Sequence, residues 1–196
     1  MKPYQKRSTE IFHYKRITVV FLLLVQVTVF GQVQQLVDSL KGVLPSVSGE
    51  EKAKVLADLC WYNRGLNPLD AAKFGRQALN YSQEINYQKG VAQAYNDLGI
   101  LKIDKGANDF ALQLFDSSLT IRKELKDTLG IAALYNKIGI VHQNQRNLTK
   151  ALEAQLAALK IYEERDMANY EAYCLNNIAI LYHDQNNEEK SIQYHK

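Results

Sequence analysis

The chain has 196 residues, 46% hydrophobic and 23% charged, with only three prolines and ten glycines. That supports one domain with a sizeable core and excludes collagen-like, Pro-rich and disordered architectures. The formal net charge of +3 belongs to the first 31 residues, where five Lys/Arg face one acid, so the remainder is near neutral and carries no nucleic-acid footprint.

Residues 1–16 are polar and basic, and Ile17 to Phe30 form an apolar run ending at Val29-Phe30-Gly31. The run is short for a transmembrane helix and suits the core of a signal peptide, with small Gly31 at the cleavage point. Residues 1–31 are therefore expected to be a cleaved signal peptide, with an uncleaved inner-membrane anchor as the alternative. No cysteine follows the run to accept a lipid. The expected location is periplasmic or secreted, with the membrane touched only through an uncleaved leader.

Residues 32–49 read as a short capping helix and linker. Val33, Leu36, Val37 and Leu40 make an amphipathic stripe that Gly42 and Pro45 end. Ser48-Gly49-Glu50-Glu51 has the form of a capping box opening the next helix, and Asn67-Pro68 places a cap and an N1 proline at the one after.

From Gly90 onward the chain repeats itself. Gly90-VAQAYNDLGIL, Gly130-IAALYNKIGIV and Tyr170-EAYCLNNIAIL align without gaps at an offset of 40 residues. Within the unit, Tyr95, Leu98, Gly99 and Lys102 follow helical spacing, as do Tyr135, Ile138, Gly139 and His142. A second helix reads from about Asn108 to Leu125, with Ala111, Phe115, Ser118 and Leu119 on one stripe. Asn108, Asn147 and Asn187 fall at the intervening turns as candidate caps. Glycine inside a helix costs about 1 kcal/mol relative to alanine, so Gly99 and Gly139 predict close approach of a neighbouring helix. Ala111, Ala151, Ser191, Ser118 and Ala158 offer the matching small surface. Glu50–Glu84 is a more divergent unit, at an offset of 39 in its first helix and 40 in its second. The units span about 50–89, 90–129, 130–169 and an incomplete 170–196. One helix pair cannot bury its apolar face alone, so the pairs are expected to stack.

Tyr95, Leu98 and Gly99, followed by Gly106, Ala111, Phe115 and Ser118, resemble the tetratricopeptide repeat, and the long unit is similar to the extended variety of kinesin light chains and bacterial regulators. The resemblance covers about Glu50 to the C-terminus. It implies an all-α fold, a right-handed α-solenoid of stacked antiparallel helix pairs. Departures occur where the second aromatic of the first helix becomes Lys102 and His142 before returning as Tyr182. The aromatic of the second helix becomes Gln155 and His195. The leader followed by such repeats also resembles the sensor regions of bacterial signalling proteins, in which a kinase or DNA-binding effector follows. The ragged end of the last unit suggests a fragment of such a protein.

No phosphate loop, zinc-protease motif, nucleophile elbow or Cys/His metal spacing occurs, so neither enzyme activity nor a cofactor or metal is expected. His183, Asp184, Glu188 and Glu189 read as a polar turn beside an acidic helix start rather than a metal site. Cys60 and Cys174 lie far apart in the stack and are expected to be free and buried. The sequons at Asn80 and Asn147 are short enough to arise by chance.

The resemblance places the partner-binding groove on the first helices. Its positions are Gln93, Asn96, Ile100, Ile103 and Asp104; then Ala133, Asn136, Ile140, Gln143 and Asn144; then Tyr173, Asn176, Ile180, His183 and Asp184. Asn96, Asn136 and Asn176 form a ladder that either bonds a peptide backbone or ties adjacent helices. Trp61 falls on the groove at the 39-residue offset, with burial in the core the favoured reading. Arg64 stands alone there, too little for a carboxylate clamp, and Arg122, Lys123 and Lys126 read as a solvated face. The expected function is binding of a protein or peptide by an exported sensory or docking module. The alternative is a self-contained scaffold that self-associates through its open C-terminal end.

Overall fold

The structure is a computed structural model that describes residues 30–195; the leader assigned to residues 1–31 lies outside them but for its last two positions. The described residues fall in two units that divide between Ser46 and Val47. In the first, residues 30–43 are helical (α1) and a 3-10 turn follows at Leu44–Ser46, where Ser46 Oγ donates to the Val43 carbonyl at 2.7 Å. Among the described residues of this unit only Val37 of the apolar stripe is buried, while Leu36 is exposed.

The second unit contains eight described helices: α2 (Gly49–Leu66), α3 (Pro68–Glu84), α4 (Gln88–Asp104), α5 (Asn108–Glu124), α6 (Thr128–Asn144), α7 (Leu148–Glu163), α8 (Ala168–Asp184) and α9 (Glu188–Tyr194). Each packs on the next in the chain, and α2 also touches α4, which is the pattern of a stack of antiparallel hairpins. Every hairpin supplies one apolar stripe that the following hairpin covers. Phe115 and Leu119 of α5 meet Leu134 and Val141 of α6, with Ile100 of α4, and Ala158 and Tyr162 of α7 meet Cys174 and Ile178 of α8.

The turns share one device that the sequence analysis did not find. Asn86, Gly106, Lys126, Arg146, Asp166 and Asn186 all have φ between 54° and 69°, so a left-handed residue recurs every 20 positions. The N–H that follows each one bonds back to a carbonyl five residues earlier, for example Tyr87 N to Ser82 O at 2.8 Å and Asn147 N to His142 O at 2.8 Å. These are Schellman closures, and they reverse the chain after each helix from α3 to α8. Glycine, which takes this conformation at least cost, stands there only at Gly106. The next residue is the N-cap of the following helix, which explains why one cap was misplaced. Asn147 and Asn187 occupy that phase and accept from Lys150 N and Lys190 N. At the second turn the phase falls on Ala107, so Asn108 is already inside α5 and its buried Oδ1 finds no partner. Asn67 caps α3 as expected, accepting from Leu69 N and Asp70 N ahead of Pro68. Ser48 makes no side-chain capping bond, so the capping box is not formed. The adjacent Gly49 N–H instead donates to the Tyr81 hydroxyl at 2.9 Å.

The helical glycines are sites of close contact, with large side chains rather than small ones as the immediate neighbours. A Cβ on Gly99 would lie 2.5 Å from the Phe115 ring, and one on Gly139 would lie 2.7 Å from Gln155 Nε2. Phe115 and Gln155 occupy equivalent positions, and Gln155 is buried with its Nε2 donating to the Asn136 carbonyl at 3.1 Å. Ala111, Ala151, Ser118 and Ala158 are fully buried beside them. Cys60 and Cys174 are both free and buried.

Candidate functional site

The face formed by α2, α4 and α6 carries a cavity of about 560 Å³ lined by residues that include Asp58, Trp61, Gln93, Asn96, Asp97, Ile100, Arg122 and Lys137. Trp61 is 47% exposed on its rim, not in the core, and the Arg64 guanidinium lies 5.2 Å from its ring centroid. The expectation that this side chain is core is therefore corrected. α2 turns the indole away from the apolar contacts made by Leu59 and Cys60, both of which are fully buried.

The floor of the cavity is charged. Asp97 is only 5% exposed, and its Oδ1 accepts from Gln93 Nε2 at 2.8 Å and from Asn96 Nδ2 at 2.9 Å. Burial pushes its carboxyl up to about 6, against the opposing pull of those two hydrogen bonds and of the Lys137 and Arg122 charges. Lys137, projecting from α6, is half-buried, and its ammonium donates to the Ala133 carbonyl at 3.2 Å. Burial is the main cause that lowers its pKa, Arg122 adds to the effect and Asp97 opposes it.

Arg122 is not part of a solvated face. It is 8% exposed, ion-paired to Asp127, and donates to Gln93 Oε1 at 3.0 Å and Ser118 Oγ at 3.3 Å. It occupies the phase held by buried Ser82 and Tyr162 in neighbouring repeats, where the last turn of a second helix meets the start of the next hairpin. Gly130 is small because of that meeting, since a Cβ there would collide with the Arg122 guanidinium. In the next repeat the same place holds Tyr170, stacked on Tyr162 with centroids 5.0 Å apart.

The proposed groove residues divide by environment. Gln93, Asn96, Ile100 and Ala133 line the cavity. Ile103 packs against the apolar cluster around Phe115. Asp104 is bonded by Arg64 Nε at 2.6 Å and Nη2 at 3.1 Å. Asn136 is buried and donates to Cys174 Sγ at 3.8 Å, and Gln143 donates to Asp184 Oδ2 at 3.1 Å, both linking α6 to α8. Ile140 is partly exposed and Asn144 exposed. Tyr173, Asn176 and Ile180 are exposed on α8, and His183 Nδ1 lies 2.9 Å from Glu188 Oε1. The three asparagines are thus not equivalent: two are buried within the stack and one is open. Among the described residues, no three His, Cys, Asp or Glu side chains converge as metal ligands.

Missing from the groove residues read in the sequence are Asp97 and Lys137, the neighbours of Asn96 and Asn136. A signal was available, because Asp58, Asp97, Lys137 and Asn177 share one phase of the repeat. Charged residues on a repeat of unrelated side chains read as solvated surface until packing shows them buried.

Stacked helix hairpins presenting such a face define a tetratricopeptide-like α-solenoid. Residues 130–196 match the family model described as tetratricopeptide repeat. No curated protein matches the sequence. Among solved structures, BtubC (BKLC) from P. vanneervenii is similar with a TM-score of 0.70 and 16% identity, over 84% of this chain and 70% of that one. The Rap conjugation gene regulator of plasmid pLS20, solved in complex with the Phr* peptide, gives a TM-score of 0.71 at 16% identity, covering 84% of this chain and 45% of that one. A signal transduction ATPase with a tetratricopeptide repeat sensor from Pyrococcus horikoshii gives 0.75 at 19% identity, covering 84% and 26%. The chain therefore spans under half the length of the regulator and about a quarter of the ATPase. At these identities the likeness is one of fold.

Proposed function

We propose that the face of α2, α4 and α6 binds a segment of protein or peptide, and that this chain serves as the exported sensory or docking module of a bacterial signal-transduction protein. The observation that carries the binding reading is the cavity itself, where Asp97 is withdrawn from water, half-buried Lys137 shares the lining without pairing to it directly, and Trp61 is held at the rim. Buried charges without close partners are unfavourable in an empty groove and become favourable when a polar ligand satisfies them. The peptide held by the Rap regulator supports the choice of ligand class.

Trp61 is the only tryptophan in the sequence, so its fluorescence reports on the cavity directly. Titration of the full chain with peptides selected from a random dodecapeptide array is expected to give saturable changes in its emission. Selected peptides that bind equally well to a variant with Asn96 and Ile100 replaced by arginine would sink the assignment of this face. The export part is tested separately, by fusing residues 1–31 to a reporter that is active only outside the cytoplasm. A reporter that stays inactive overturns it.

A further inference from the structure

The row of residues at one repeat phase runs Asp58, Asp97, Lys137 and Asn177 on α2, α4, α6 and α8. The first three line the same cavity, so its charge changes sign between α4 and α6. Asp97 spends Oδ1 on Gln93 and Asn96, and its Oδ2 has no hydrogen bond among the described residues. The Lys137 ammonium has only the carbonyl of Ala133, in its own helix, and makes no direct ion pair with Asp97. Arg122, which is buried, is already committed to Asp127, Gln93 and Ser118. Lys54 also lines the cavity, but its ammonium lies 3.6 Å from Glu50 Oε2, so the groups left with unused bonding capacity are Asp97 and Lys137, with exposed Asp58 on the anionic side.

A purely cationic ligand would meet Lys137, and a purely anionic one would meet Asp97 and Asp58. Only a ligand carrying both signs satisfies buried Asp97 and half-buried Lys137 together. Asp97 and Lys137 line one cavity of about 560 Å³, and an extended chain advances about 3.3 Å per residue, so a segment of a few residues passes both. We infer that this groove selects an extended peptide segment carrying a basic and an acidic side chain a few residues apart, the basic one over Asp97 and Asp58 and the acidic one over Lys137. Trp61 at the rim supplies the apolar surface for the stem between them. This selectivity rests on the peptide-binding reading above.

The test uses the full chain, Trp61 fluorescence, and tryptophan-free nonapeptide libraries with fixed residues two, three or four positions apart. The fixed pairs are Lys/Glu in both orders, Lys/Lys, Glu/Glu and Ser/Ser. At least one mixed-charge order is expected to bind about tenfold more tightly than the like-charged and neutral libraries. Lys137→Glu should transfer the preference to the Lys/Lys library. Asp58→Lys, at an exposed position that leaves the fold intact, should weaken the mixed-charge library and strengthen Glu/Glu. Equal binding of mixed and neutral libraries would overturn the charge selectivity while leaving peptide binding in place. No fluorescence response to any library would overturn both.

Discussion

Asp97→Asn should make this protein more stable at neutral pH, and the structure sets the size of the gain. The asparagine has nearly the same shape, and its Oδ1 can still accept from Gln93 Nε2 and Asn96 Nδ2. What disappears is a carboxylate that is 5% exposed and whose pKa rises from 3.8 to about 6 on folding. A raised acid favours the folded state through its protonated form. Its contribution is present in full below pH 3.8, is lost as pH rises through 6, and leaves the folded state carrying the whole desolvation penalty above that. The difference between the two values corresponds to about 3 kcal/mol. The charged groups facing Asp97 are Lys137 from α6 and Arg122 from α5, and neither offsets its burial. Urea unfolding followed by helical circular dichroism, from pH 4 to 8, measures the effect. The variant should exceed the wild type by up to about 3 kcal/mol at pH 8, and the gap should close toward pH 4. A variant less stable than wild type at pH 8 would show that attraction to Lys137 and Arg122 outweighs desolvation. The buried-charge argument for a ligand site would fail with it.

Three other outcomes follow from the packing. Gly99→Ala should destabilise by about 1–3 kcal/mol in urea titrations, because its Cβ would press into the Phe115 ring; helix propensity alone predicts a gain of about 1 kcal/mol. Arg64→Ala should lower stability by less than about 1 kcal/mol, with the small difference vanishing in high salt, since the Arg64–Asp104 pair is more than one-third exposed on both sides. Burial pushes the Cys60 thiol up to about 12 and the Cys174 thiol up to about 11, so a thiol-reactive dye at pH 8 should label neither appreciably until denaturant is added. Rapid labelling of the native protein would contradict the buried positions of both.

The sequence by itself determined the helical class, the repeat length and the stacking, because each unit must present the same apolar stripe to its successor. Leu98, Ala111, Phe115 and Ser118 therefore stand in a periodic order that can be read without coordinates. Asn67-Pro68 was equally legible, since a cap and an N1 proline act on the backbone immediately beside them. Tertiary structure decided whatever depends on which helix faces which. It set the left-handed residue at every twentieth position, for Lys126 and Arg146 carry no compositional sign of that conformation and are held in it by the closure of the turn. It placed Arg122 in the interior and Trp61 on the rim, exchanging the environments that charge and aromaticity suggest. The charged floor of the groove has the same origin. Asp97 and Lys137 lie 40 positions apart on separate helices, and only the stacking of α4 on α5 and of α5 on α6 buries the first, half-buries the second and brings both to one cavity.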